Sequence, residues 1–273
     1  MPPHFAYYYN ISLVYFFTSY IFFTMNTIFF SFMITTLAGF STLLGILPCF
    51  IKNKSKETII SFSLAFSAGV MLIISFVSLI PEAISLLSKL FKGFPMIILL
   101  AIFVVCGIIF SMLIDQKLDK AISNNQLYKL GLISVFVLIL HNIPEGITTF
   151  VSSSIDKKLG LVLAISIALH NIPEGISIAV PIYYSTLKLS WAFCYTLISG
   201  FSELLGAILA YLFLAKYIND FILAIILSVT AGIMIHISIY ELIPEAFSYK
   251  KSKATILALL LGILIMLMCV FLL

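Results

Sequence analysis

Eight apolar stretches, each long enough to cross a lipid bilayer, divide this chain almost from end to end. They run over roughly 27–50, 58–81, 94–114, 131–153, 160–184, 190–215, 221–246 and 254–273, with most lysines in the short segments between them. A spanning helix needs about 20 apolar residues, whereas a barrel strand needs about 10 residues alternating in polarity. No such alternation is present, so each stretch is predicted to close its backbone hydrogen bonds within itself as a helix. The charge content agrees. Only 10% of residues are charged and 62% are hydrophobic, against about 25% charged in a soluble domain. Too few charges remain to coat a water-facing surface. The fold class is therefore an all-α polytopic membrane protein of eight transmembrane helices.

Residues 1–26 stand apart as an aromatic N-terminal extension of uncertain status, ahead of a single eight-helix domain over 27–273. The extension is uncharged, and it reads as a ninth span, a prolongation of the first span, or a leader. No lysine precedes it, so it lacks the basic start of a secretory signal, and Met25 would serve as a natural start.

All fifteen basic residues are lysines. Ten fall in the segments after the first, third, fifth and seventh spans, and five on the opposite side. The positive-inside rule places the ten in the cytoplasm and both termini outside, in a plasma (inner) membrane crossed many times. The lysines sit in short clusters between apolar runs. They read as anchors at the surface of the lipid bilayer, not as a nucleic-acid surface. Four cysteines form no C-x-x-C pair and are expected to be buried packing residues.

The chain repeats itself in two places. L-H-N-I-P-E-G-I occurs at 140–147 and again at 169–176, an offset of 29 residues. These are consecutive spans with a short link, so the motif enters the membrane from opposite sides. The stretches 68–83 and 231–246 both begin A-G-x-M and end L-I-P-E-A, and they too lie on spans of opposite direction. Inverted repeats of this kind belong to secondary transporters, which hold their cargo near the midplane between the repeats.

The octapeptide carries the chemistry. His141 and Glu145 are four residues apart on one helix face, where Cβ atoms lie roughly 5–6 Å apart; His170 and Glu174 repeat the arrangement on the antiparallel neighbour. Asn142 and Asn171 project about 100° around from each histidine, toward an outer shell or a second ion. Glu203 lies midway along the sixth span. Three ionised glutamates at mid-membrane cost on the order of 8–10 kcal/mol, and Gln or Leu would pack as well. A dication between carboxylates and imidazoles offsets that cost. Two His and two Glu suit zinc, and imidazole favours zinc, iron, copper or nickel over magnesium or calcium. The expected metal site thus lies between helices four and five. Pro144 and Pro173 remove the backbone bonds to the carbonyls of Leu140 and Leu169. His236 is either the lining of an exit path or a satisfied core histidine, and Glu82, Glu241 and Glu245 lie near helix ends.

At these residues the chain resembles the ZIP (Zrt/Irt-like) family of metal transporters, in its bacterial ZupT-like branch. The resemblance rests on H-N-I-P-E-G at 141–146, H-N-I-P-E-G-I-S-I-A-V-P at 170–181, S-G-F-S-E-L-L-G-A at 199–207, the A-G-V-M-L-I-I-S start of the second span and the E-L-I-P-E-A end of the seventh. It implies eight helices with both termini outside and a two-metal site at mid-membrane. His141, Glu145, His170 and Glu174 match the first position, with Met71 as a contributor. Asn142, Asn171 and Glu203 match the second, bridged by the motif glutamates. It further implies uptake of Zn²⁺, and of Fe²⁺, Mn²⁺, Co²⁺ or Cd²⁺, into the cytoplasm. Two features depart from the family: residues 115–130 contain no histidine, and Leu204 stands where Pro often follows the sixth-span glutamate.

The expectation is a transporter and not an enzyme, with no cofactor beyond the transported metal and with divalent metal ions as partners; a homodimer is compatible. The alternatives are an intramembrane metal-dependent hydrolase, for which the H-E-x-x-H motif is missing, and a cation channel.

Overall fold

The computed structural model describes residues 26–51, 54–121, 125–214 and 219–272. The N-terminal stretch 1–25 lies outside them, and with it the choice among span, prolongation and leader. Eight helices long and apolar enough to cross a membrane are present among the described residues: α1 (Asn26–Phe50), α2 (Lys56–Ser88), α3 (Phe94–Leu118), α4 (Gln126–Ile155), α5 (Lys157–Thr186), α6 (Leu189–Leu212), α7 (Asp220–Ser248) and α8 (Ser252–Leu272). Six contain the whole of an expected stretch, and α6 and α8 cover 190–215 and 254–273 up to residues 212 and 272; most extend beyond the stretch at their polar first turns.

Those turns begin where short polar side chains can satisfy the open amides of a helix start. Ser55 accepts from Thr58 N, Asn125 from Tyr128 N, Asn219 from Ile222 N, and Asp156 from Lys158 N and Leu159 N. Asp156 also ends α4, its own amide donating to Ser152 O at 2.9 Å, so a single residue joins α4 to α5. The two motif-bearing helices form the tightest hairpin in the described fold.

Packing sorts the helices into two groups. In one, α4 lies along α5 and α6, and α5 along α1; in the other, α2 lies along α8 and α3 along α7. The groups meet mainly where α2 crosses α5. Lipid offers no hydrophobic driving force between helices, so close backbone approach matters. Each main contact is accordingly made over glycine. A Cβ on Gly69 would lie 2.5 Å from Leu259 O, and one on Gly262 2.3 Å from Phe66 O, across α2 and α8; Gly107 and Gly232 do the same for α3 and α7, at 2.0 Å from Val229 O and Val104 O.

The inverted repeat of α2 and α7 extends to the backbone. Each helix widens into a π-helical segment, Ile74–Leu79 and Ile237–Leu242, beginning five residues after Gly69 and Gly232 respectively. Each segment runs directly into I-P-E-A. Proline has no N–H and its ring crowds the carbonyl four residues earlier; a wider turn just before Pro81 and Pro244 relieves both problems.

Two sequence expectations differ from the structure, and one open choice is decided. Lys129 is not a loop anchor: it lies in the first turn of α4, is buried, and pairs with Asp115 of α3 at 2.6 Å. Among the cysteines only Cys49 is buried, while Cys106 and Cys194 are exposed on the outside of the bundle and Cys269 is partly covered. The lipid-facing surface is as apolar as the core, so an apolar run does not distinguish the two. His236 is a satisfied core residue, its Nδ1 2.9 Å from Ser111 Oγ and its ring stacked on Tyr240.

Candidate metal site

The H-N-I-P-E-G units meet side by side at the middle of α4 and α5. His141 Nε2 lies 3.1 Å from Glu145 Oε1 and 3.3 Å from Glu174 Oε1, and His170 Nε2 lies 3.0 Å from the same Glu145 oxygen. The four side chains that the pattern set on facing stripes form one continuous chain of imidazole and carboxylate. All are buried, Glu174 completely. His141, Glu145 and His170 can each turn one ligand atom toward a common ion. Four ligands held about 2.1 Å from a zinc ion stand roughly 3.4 Å from one another around a tetrahedron, and the observed N···O separations approach that spacing.

The hydrogen bonds of the cluster leave much unmet. Among the described residues, twelve buried side-chain N and O atoms make no hydrogen bond. Eight belong here: both ring nitrogens of His141, Asn142 Oδ1, Glu145 Oε2, Asn171 Oδ1, both oxygens of Glu174, and Glu203 Oε2. A buried polar atom without a partner costs about 1–3 kcal/mol. So dense a set of electron-pair donors fits a cation.

The asparagines brace the hairpin against its neighbours. Asn142 Nδ2 donates to Ser199 O of α6 at 3.0 Å, and Asn171 Nδ2 to Ala38 O of α1 at 2.9 Å. A carbonyl can only accept, so each amide nitrogen faces outward and each Oδ1 remains over. Asn171 also donates to Glu203 Oε1, which brings the α6 carboxylate to the cluster. Met71 is buried in the hydrophobic core of α2 and Ser75 donates back to its carbonyl at 2.8 Å.

The glycines of the two units explain their place in the motif. A Cβ on Gly146 would stand 1.9 Å from Glu203 O, and one on Gly175 1.9 Å from Thr42 O. Each lets a third helix press against the hairpin at the level of the ligands.

A cavity of about 300 Å³ reaches the cluster from one side, bounded by Ser78 and Glu82 of α2, Glu145 and Thr148 of α4, and Ser166 and His170 of α5. Glu145 and His170 line it, whereas His141 and Glu174 do not.

One repeat escaped the sequence reading. G-F-S-T-L-L-G at 39–45 of α1 matches G-F-S-E-L-L-G at 200–206 of α6 in all but the fourth position. A search restricted to ligand residues passes over it, because the mismatch removes the carboxylate from one copy. Aligning the first span against the sixth would have found it.

Comparison with known proteins agrees with this architecture. A family model described as ZIP Zinc transporter matches residues 120–269. The zinc transporter ZupT of Streptococcus mutans serotype c is 38% identical over 254 residues, covering 88% of this chain and 96% of the relative. Those of Campylobacter jejuni and Oceanobacillus iheyensis are 36% and 37% identical, covering 89% of this chain and 96% and 97% of their own lengths. These relatives are named as transporters and not as enzymes. With the eight helices, the paired H-N-I-P-E-G units and matches along nearly the whole length, the chain belongs to the ZIP zinc transporter family.

Proposed function

We propose that this protein moves zinc, and with it other divalent ions such as Fe²⁺, Mn²⁺, Co²⁺ or Cd²⁺, into the cytoplasm across the plasma membrane, with both chain termini outside. The reading is carried by the eight buried electron-pair donor atoms of His141, Asn142, Glu145, Asn171, Glu174 and Glu203 that make no hydrogen bond midway along the spans. The names of the relatives support zinc as the principal cargo. In this reading His141, Glu145, His170 and Glu174 hold the first metal. Asn142, Asn171 and Glu203 hold a second, on amide and carboxylate oxygens that suit a hard or borderline cation.

The order of events follows from depth. With the lysine-rich face in the cytoplasm, α2 and α4 end outside and α5 begins there, so the cavity at Glu82 opens outward. An arriving ion meets Glu82 and then Glu145 and His170, which line the cavity. It exchanges water for these two before it reaches His141 and Glu174, one turn further in. Binding needs ionised glutamates and neutral imidazoles, so each ion displaces protons. Release toward the cytoplasm requires a path past His141 and Glu174 to open while the outer cavity closes, the alternation that the inverted repeats support.

The test is saturable uptake of radioactive zinc into proteoliposomes, with Fe²⁺ and Mn²⁺ as competitors. Glu145→Ala and Glu174→Ala are each expected to abolish it. Uptake indifferent to both substitutions in folded protein would reject the site.

A further inference from the structure

The repeat shared by α1 and α6 is a structural one. Gly39 and Gly200 face each other across the helix pair, and a Cβ on either would lie 2.4 Å from the other's carbonyl oxygen. Ala38 and Ser199, the residues just before these glycines, are the ones whose carbonyls accept from Asn171 and Asn142. Three residues past the glycines, the carbonyls of Thr42 and Glu203 press on Gly175 and Gly146 at the same 1.9 Å. One pseudo-two-fold axis therefore exchanges α4 with α5 and α1 with α6. It maps Asn142 onto Asn171, Glu145 onto Glu174, and Glu203 onto Thr42.

The single mismatch of the repeat thus falls on the carboxylate that Asn171 holds. The side chains at 42 and 203 occupy reciprocal places: a Cβ on Gly39 would lie 3.0 Å from Glu203 Cβ, and one on Gly200 3.3 Å from Thr42 Oγ1. The Thr42 hydroxyl is turned back onto Gly39 O at 2.6 Å, is fully buried, and offers no charge. The glycine contacts around Glu203 have their counterparts around Thr42, and the axis makes Asn142 the counterpart there of Asn171.

We infer that Thr42 is an affinity-setting residue of the transport site: it makes the second metal position one-sided by withholding the fourth carboxylate. The inference rests on the proposal that Glu203 is a metal ligand. With Glu145, Glu174 and Glu203 the site carries three negative charges against the four positive charges of two dications. The remaining positive charge keeps the pair from settling too deeply. A carboxylate at 42 would complete the mirror position beside Asn142, neutralise the pair, and trap the cargo. Moving the carboxylate from 203 to 42 would instead reflect the second position across the axis and leave the charge unchanged.

The test compares wild type, E203T, T42E and the mirror variant T42E/E203T, each purified and checked for monodisperse elution. Zinc is the only ligand, titrated calorimetrically, and zinc uptake is followed in proteoliposomes. E203T is expected to lose one of the bound zinc ions and about tenfold or more in uptake, the scale on which metal sites respond to loss of a supporting group. The mirror variant regains the second zinc and most of the uptake, and it now depends on Asn142 where the wild type depends on Asn171. T42E alone binds zinc more tightly and turns over more slowly. If E203T matches wild type, Glu203 is no ligand, and the second metal position falls together with this inference. If E203T loses the second zinc and a folded mirror variant does not regain it, the symmetry inference alone is overturned. Should T42E/E203T not fold, T42D/E203T, one methylene shorter against Gly200, decides in the same way.

Discussion

The substitution Gly146→Ala measures how tightly the transport site is held by backbone contact. A Cβ at 146 would lie 1.9 Å from the carbonyl oxygen of Glu203, and 2.7 Å and 2.8 Å from its C and Cα. Ordinary van der Waals contact begins near 3.4 Å, so α4 and α6 must separate by about 1.5 Å at this level. No side chain can rotate away, because every atom met is backbone. Overpacking of this kind costs typically about 1–3 kcal/mol and more where nothing can yield, so about 3 kcal/mol of destabilisation is expected. The displaced residue is Glu203 itself, whose carboxylate Asn171 holds, so metal affinity should fall by about tenfold or more. Gly131→Ala in the same helix is the control: its Cβ meets Cδ1 and Cγ1 of Ile182 at 2.7 and 2.8 Å, a side chain that can re-orient, and backbone only at 3.3 Å. Thermal unfolding in detergent and zinc uptake in proteoliposomes supply the two readouts. A Gly146→Ala protein that melts and transports like Gly131→Ala would refute the claim that this glycine sets the spacing.

Two further outcomes are expected. Zinc uptake should fall as pH drops from about 7 to about 4.5, because protons occupy imidazoles and carboxylates that ordinarily titrate near 6.5 and 4.3 and so compete with the metal; a rate flat across that range, measured at zinc well below saturation, would count against direct His/Glu ligation. Lys129→Ala should destabilise the protein by about 3–5 kcal/mol by leaving Asp115 without its partner in a largely buried place, while Lys129→Met with Asp115→Leu should recover most of it. A mild effect of the single variant in a melting assay would show that water reaches the pair.

The sequence reading succeeded where a physical constraint is written along one helix. Spans are visible because lipid demands long apolar runs, and the cluster is visible because His141–Glu145 and His170–Glu174 each lie on one helical face. It faltered where the constraint lies between helices. Lys129 looked like a loop residue because its partner Asp115 is on another span. Cys106 and Cys194 looked like core because the outer surface of the bundle is as apolar as the inside. Glu203 could be placed at mid-membrane, but its approach to Asn171 depends on glycine contacts that no single-helix pattern carries. The π-helical turns in α2 and α7 left only an indirect trace, the shared distance from glycine to proline.

The single residue between α4 and α5 has a meaning for how this gene can vary. Loops are ordinarily where chains accept extra residues, yet here the link is also a register pin. One residue added at Asp156 would rotate α5 by about 100° against α4 and carry His170 and Glu174 off the face shared with His141 and Glu145. Gly160, whose Cβ would lie 2.2 Å from Ser153 Cβ, holds the start of that hairpin closed. A scanning insertion library, or an epitope tag for topology mapping, will find a forbidden position there.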